Sequence, residues 1–584
     1  IQPHTQQRIA CWLLALIMLV YTLEMSHQAI LRYDTFKATA FDLGNMDQAI
    51  WNTIHGRLFQ FTNQAIDWYG PSTRLAIHVE PIILPLSLLY LFYADPRILL
   101  VFQTLVLMTG ALPVFLLARK YLPRWPLLAT LMAAAYLLSP ALLGLNIFDF
   151  HPVALATPFL LYAILALEYK RYKWFLLACI LAASCKEDIP LAIAMLGIML
   201  FWKYKLPRLG ATLLIGGILW SAIAFGIIIP HFYPGVQHNN YWYRYEDLGS
   251  SPEAAIVNLL LHPWLFFTTF LTIDRFYYFA CLFRSTGLLP FLSPEWLLPA
   301  LPSLAVNTLS NDPLTYSGVY HYNAAIIPFV MLSAVHGTRR LILIWQQWRG
   351  EKNERGEYDQ VEVKQDGNNQ GEGKAEPRPY HTTVELRASY MVGAWVVPSW
   401  LALALVPPWL APALLRATLV PLTLPTWRRT QSQRFIERMI PLAQKISLAR
   451  LQWVIFAWIT IMLALNFFIA APQLSAFWAD HEPGSREQHI QQLLAKIPPN
   501  VSVSAGSNLN PHLSERRFVL VFPEISDAVH TTRIVQYIIV DLNNIYTEDR
   551  AETTSRLNNL INTKQYHVIG QAEGVVLLKR TDSG

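Results

Sequence analysis

Four stretches of this chain put carboxylates, histidines and a lysine where apolar sequence gives way to polar. The first holds Asp42 and Asp47 among Tyr33, Asp34, Gln48, Trp51, Asn52 and His55. Five positions apart, these two carboxylates would stand roughly 140° from each other around a helix, whereas a turn at Gly44 would bring them together. The second, NIFDFHP, places Asp149 and His151 at the end of an apolar run, with Pro152 opening the next helix. The third, SCKEDIP, carries Lys186, Glu187 and Asp188 with apolar sequence on both sides. Charges at membrane depth are costly, so they line a cavity, pair with one another or bind a polar substrate. The fourth runs from Asn311 to Phe329 and sets Tyr316, Tyr320, His321 and Tyr322 just before an apolar run. Carboxylates of this kind can deprotonate or orient a hydroxyl, and a lysine can stabilise a departing anion. Each stretch also has a plain reading. Asp42, Asp47 and Asp149 fit a solvated loop and a capped turn, Lys186 fits an ion pair with Glu187 or Asp188, and the tyrosines fit an interfacial aromatic belt.

The elements that must hold these groups are membrane helices. Of 584 residues 54% are hydrophobic and 14% charged, and the apolar residues fall in runs of the length a helix needs to cross hydrocarbon, about 20 residues. Such runs lie near 9–31, 81–93, 98–118, 126–145, 153–168, 209–229, 256–272, 276–292, 296–309, 324–348 and 452–471. The first lacks a small-residue cleavage site and reads as an anchor rather than a signal peptide. Segments 81–93, 174–202 and 391–425 carry prolines or charges and read equally as half-depth hairpins. The fold expected is an all-α polytopic transmembrane bundle of about 11–13 helices, closed by a C-terminal extracytoplasmic α/β domain.

Basic clusters orient the bundle: Arg119, Lys120 and Arg124; Lys170, Arg171 and Lys173; Lys203, Lys205 and Arg208; Arg339 and Arg340; and the run from Arg428 to Arg450. Placed inside, they put the loop 32–78, the Asp149 turn, the Lys186–Asp188 tip and everything after about residue 472 outside. The divisions expected are a transmembrane module 1–348, a disordered cytoplasmic loop 349–387, further membrane segments 388–471 and the outer domain 472–584. Strands are expected near 501–504, 518–522, 537–541 and 574–579, with a helix over 485–497. The four cysteines have no metal-ligand spacing. The formal charge of +6 is spent at helix ends, which leaves no support for nucleic-acid binding and makes membrane lipids the expected surroundings.

The segments FDLGNMDQAIWNTIHGRLF, HVEPIILPLSLLY, SPALLGLNIFDFHP, CKEDIP and YHYNAAIIPF, in this order, together resemble the bacterial domain-of-unknown-function family 2079, as does the tail IPPNVSVSAGSNLNPHLSERRFVLVFP. That family is similar in layout to the C-type glycosyltransferases, which use polyprenyl-phosphate sugars. The resemblance implies a transferase of the bacterial cytoplasmic (inner) membrane that takes a sugar from a lipid-linked donor. It implies a catalytic carboxylate at Asp42 or Asp47, a second at Asp149, and a hairpin lysine at Lys186; His151, Glu187, Asp188, Tyr320 and His321, polar and assigned to the same outer side, are expected beside Lys186 as substrate contacts. Asp42 is followed by Leu43 rather than by the second acidic residue usual in those enzymes. Cofactors are unassigned, and a divalent metal held by the carboxylates is left open. Two rival readings stand beside it: a non-catalytic membrane subunit or lipid-binding protein of the same architecture, and a transporter with Lys186, Glu187 and Asp188 as a charge relay. Asp42 and Asp47 are expected at the mouth of one outward-facing cavity near Asp149, His151, Lys186 and His321, since burying each separately would demand a partner for each.

Overall fold

A computed structural model of the chain describes residues 3–63, 73–233, 241–270, 272–349, 441, 444–526, 534–545 and 549–581. Residues 350–440, which hold the expected polar loop 349–387 and much of the segment 388–471, lie outside the described residues.

Among the described residues five helices are long and apolar enough to cross a membrane: His4–Asp34, Arg97–Tyr121, Pro207–Phe232, Ile327–Trp348 and Leu448–Ser475. Two bent pairs raise the number to as many as seven, Pro126–Leu137 with Pro140–Ile147 at 45° and Pro252–Leu261 with Trp264–Phe270 at 109°. Three shorter apolar helices, Pro152–Glu168, Tyr172–Ala183 and Ile189–Trp202, complete the bundle. The Lys186–Asp188 sequence lies in the turn between the last two, Tyr172–Ala183 and Ile189–Trp202. Three expected crossings break up instead. Segment 81–93 is the helix Ile83–Ser87 and a 3-10 turn, and 276–309 is a chain of short pieces from Ile273–Arg284 to Leu301–Thr308. Prolines at 81, 85, 290, 294, 299 and 302 remove backbone donors and block longer helices.

The C-terminal domain is a five-stranded sheet of order β2-β1-β3-β5-β4, with β1 Val503–Ala505, β2 Val519–Val521, β3 Tyr537–Asp541, β4 Tyr566–Ala572 and β5 Val575–Arg580. β1 is parallel to β2 and β3, while β5 runs antiparallel to both β3 and β4. Side chains alternate between the two faces. Val503, Ala505, Val519, Ile539 and Leu577 pack with Ile490, Leu493 and Leu494 of the helix Ser485–Leu494. Leu520, Ile538, Val540, Val576 and Leu578 pack with Leu557 and Leu560 of the helix Arg550–Asn562. The expectation lacked β4, an edge strand whose middle is mostly exposed, so its residues show no buried alternation to read.

The first loop lies between bundle and sheet and belongs to both. Phe36, just beyond the first span, is buried in the sheet's own core. His512 stacks on Tyr33 at 4.1 Å and leans on Phe36 at 4.3 Å.

Candidate active site

After an extended Thr39 the chain makes one wide π-helical turn, Ala40–Gly44, and runs on into the helix Asn45–Ile54. π-turns of this kind are rare and recur at functional sites. Asp42 sits in this turn with its side chain 26% exposed. It accepts hydrogen bonds from Thr39 Oγ1 at 3.0 Å and His151 Nε2 at 3.2 Å. Burial raises the Asp42 carboxyl, but the His151 hydrogen bond and charge, with Thr39 and the Arg32 guanidinium, outweigh it and hold the group below the ordinary carboxylate range. Asp42 is therefore an anion that solvent can reach.

His151 is set by the turn between Pro140–Ile147 and Pro152–Glu168. Gln103 clamps that turn: its Nε2 donates to the carbonyls of Asn146 and Asp149, and its Oε1 accepts from His151 N–H at 2.9 Å. Asp149 adopts φ of +48°, a left-handed conformation that aspartate tolerates better than most residues. Its carboxylate is 1% exposed and pairs with Arg32 Nε at 3.2 Å, while the Thr39 backbone N–H donates to Oδ2. Arg32 in turn donates to the carbonyl of Phe477, just past the last span.

Beyond His151 the site is aromatic and cationic. The His321 ring stacks on His151 with centroids 4.1 Å apart, and Tyr322 lies against His321 at 4.2 Å. Arg244 stands over Tyr322 at 5.6 Å and Tyr241 at 4.7 Å, and pairs with Asp312 at 3.0 Å. Burial, followed by the charges of His151, Lys186, His78 and Arg244, pushes His321 well below the ordinary imidazole range. Its ring is accordingly neutral, and its Nδ1 is buried with no hydrogen-bond partner. Lys186 lies 3.8 Å from Asp188, with its side chain 18% exposed.

The expected single site is therefore brought together in part. Asp42, Asp149, His151 and His321 are joined by the contacts above, and the Lys186 charge is among those that lower His321. Asp47 departs from the expectation that it stands at the mouth beside them. It is fully buried, hydrogen-bonded by Tyr90 OH and, at 2.5 Å, by Ser514 Oγ of the C-terminal domain. Burial pushes its carboxyl up to about 7. Glu187, expected as a substrate contact or as the partner of Lys186, has its carboxylate occupied by His78 Nδ1 at 2.8 Å and the Val79 N–H at 3.0 Å. Tyr320 packs edge-on against Phe148 and Phe477, so its ring braces the joint between the Asp149 turn and the last span.

Arg32, Thr39, His78, Gln103 and Arg244 escaped the sequence reading. Arg32 reads as one more basic residue ending an apolar run, and Gln103 as a lone polar residue in a span. His78 does open the segment HVEPIILPLSLLY, which was noted for its resemblance and not for its chemistry. Among the described residues no three His, Cys, Asp or Glu side chains are grouped to hold a metal ion.

The model of the family described as "Predicted membrane protein (DUF2079)" matches residues 32–355 and 385–577. The chain belongs to this family. Two solved structures of ArnT from Cupriavidus metallidurans are similar to this DUF2079 protein, each covering 98% of both chains. The apo structure is 11% identical with a TM-score of 0.43, and the structure bound to undecaprenyl phosphate is 12% identical with a TM-score of 0.42. No activity follows from likeness at that level. No curated protein matches the sequence.

Proposed function

We propose that this DUF2079 protein transfers a sugar from a polyprenyl-phosphate carrier to an acceptor hydroxyl at the outer face of the bacterial cytoplasmic membrane. One observation supports the reading above the others: a reachable carboxylate, Asp42, is held as an anion by His151 at 3.2 Å beside a histidine, lysine and arginine group. Sugar transfer from a lipid phosphate needs this pairing. A carboxylate orients and deprotonates the acceptor hydroxyl, and cations stabilise the phosphate as the glycosidic bond to it breaks. Asp42 takes the first role. Lys186 and Arg244 take the second, and neutral His321 can donate a hydrogen bond without adding charge. Asp149 serves through Arg32, bracing the turn that carries His151. The basic clusters near the other ends of the helices support an outer position for the site and the sheet domain.

The test is release of undecaprenyl phosphate from undecaprenyl-phosphate-linked sugars, mannose and aminoarabinose first, by the purified protein in liposomes supplied with envelope extract as acceptor. Wild type releases the carrier, and Asp42→Asn, checked for folding by size-exclusion chromatography, slows release by about 10²-fold or more. Wild-type release by Asp42→Asn would refute the assignment of Asp42, and no release from any donor would refute the transferase reading.

A further inference from the structure

The turn that carries Asp42 is held from the C-terminal domain as well as from the bundle. Asn63 Nδ2 donates to the Ala40 carbonyl at 3.1 Å and to Asn510 Oδ1 at 2.6 Å. Asn510 Nδ2 donates in turn to the carbonyl of Leu520 in β2, which ties this side chain to the sheet. The Ala40 N–H points to Ser507 Oγ at 3.4 Å. Packing leaves no slack, since a Cβ on Gly44 would stand 2.7 Å from both Asn510 Oδ1 and Asn63 Nδ2. Both ends of the five-residue turn therefore rest on two asparagines that are fully buried.

Two buried amides are a costly way to join domains, because an amide left unpaired there loses its solvation without return, and an apolar contact would hold as well. What amides add is direction. The Asn510–Asn63–Ala40 chain fixes how the turn is rotated, and that rotation decides whether Asp42 meets Thr39 and His151.

We propose that Asn510 is a positioning residue: through Asn63 and the Ala40 carbonyl, the C-terminal domain sets the Asp42 carboxylate against His151. As a statement about catalysis this rests on the transferase reading. As a statement about the turn it does not, and the two can fail separately.

The experiment compares the full chain with Asn510→Ala and Ser507→Ala, and with Asn508→Ala as the control. Asn508 lies in the same loop but donates to Asp541 of the domain. Hydrogen exchange reads the turn. The pH profile of Asp42 modification by a water-soluble carbodiimide reads its contact with His151, because that reagent attacks the protonated carboxyl. In Asn510→Ala exchange over residues 39–44 rises about tenfold or more, and the Asp42 profile moves upward by about one pH unit as the His151 contact is lost. Asn508→Ala leaves both unchanged. A merely structural role would lower thermal stability and leave the Asp42 profile in place, and that result overturns the proposal. An equal shift in Asn508→Ala overturns it as well. If Asn510→Ala does not fold, Ser507→Ala decides, with a smaller shift expected in the same direction and no shift counting against the proposal. Movement of both readouts in a protein that releases no undecaprenyl phosphate from any donor leaves the positioning standing and removes only the transferase reading.

Discussion

The Arg32–Asp149 pair offers the sharpest quantitative test, because a brace and a catalytic acid predict different things. Arg32 is 6% exposed and Asp149 1%. Their contact is 3.2 Å, and among the described residues each has one further hydrogen-bond partner, the Phe477 carbonyl for Arg32 and the Thr39 N–H for Asp149. Removing one member strands the other charge, a loss of about 3–5 kcal/mol. Removing both leaves only two backbone groups to re-pair and costs less than either single change plus the other. Asp149→Leu and Arg32→Met should therefore each lower unfolding free energy by about 3–5 kcal/mol, while the double variant loses about 1–3 kcal/mol, a coupling of several kcal/mol. The measurement is a double-mutant cycle by denaturant titration in mixed micelles, alongside carrier release. A brace predicts that the double variant recovers much of its stability and part of its activity. If the single changes cost under about 1 kcal/mol and add, the pair does not hold the site. If the double variant is stable and wholly inactive, Asp149 itself takes part in the reaction.

Three further expectations concern the joint between domains and the packing of the bundle. Burial raises Asp47 to about 7, and burial with the charges of Asp47 and Asp95 raises Glu515 to about 9. Both folded values lie above the ordinary carboxylate range, so the stability they contribute is complete in acid and is lost as pH climbs through about 7 and then about 9. Hydrogen exchange at residues 510–516, corrected for intrinsic rates, should quicken over that window, less so in Asp47→Asn, and a flat profile would remove the reasoning. His151→Gln, which takes away the largest of the influences lowering Asp42, should raise the pH at which carbodiimide modifies Asp42; an unmoved profile would show that the contact does not hold the charge. Finally, a Cβ on Gly144 would stand 1.9 Å from the Val319 carbonyl oxygen, so Gly144→Ala should cost about 1–3 kcal/mol or prevent folding, and a wild-type melting curve would contradict the close approach of these segments.

Much of the architecture is legible in the sequence because hydropathy is a local property. Run lengths mark the spans, and Val519–Val521 and Tyr537–Asp541 show as strands through their own residues. The lost crossings are legible too, in the prolines at 290, 294 and 299, each of which takes a donor out of the helix ladder. The site is a different matter. Asp42 and Asp47 sit five residues apart in the same loop, and what separates a reachable anion from a buried acid is burial under distant segments, Ser514 among them at 467 positions away. Glu187 differs from its charged neighbours because His78 and the Val79 N–H reach it from 109 and 108 positions upstream. No spacing within one segment carries such information, since partners that distant are chosen by the packing of the whole bundle.

The link from Arg32 to the Phe477 carbonyl spans 445 positions, and Lys37 reaches the Trp478 carbonyl across 441. During synthesis the first helix thus enters the membrane with its charged end unfinished. At about 5–20 residues per second, the ribosome needs roughly 20–90 s to deliver the residues that complete it. Arg32 can meet Asp149 once that residue emerges, 117 positions on, but Lys37, whose partners are the Trp478 carbonyl and Asp480, must through the whole interval be hydrated, held by lipid phosphates or sheltered by the insertion machinery. Chains arrested before the last span should then be marked for membrane proteolysis by the unpartnered Lys37 and the half-completed Arg32, and a C-terminal fragment supplied in trans should rescue them.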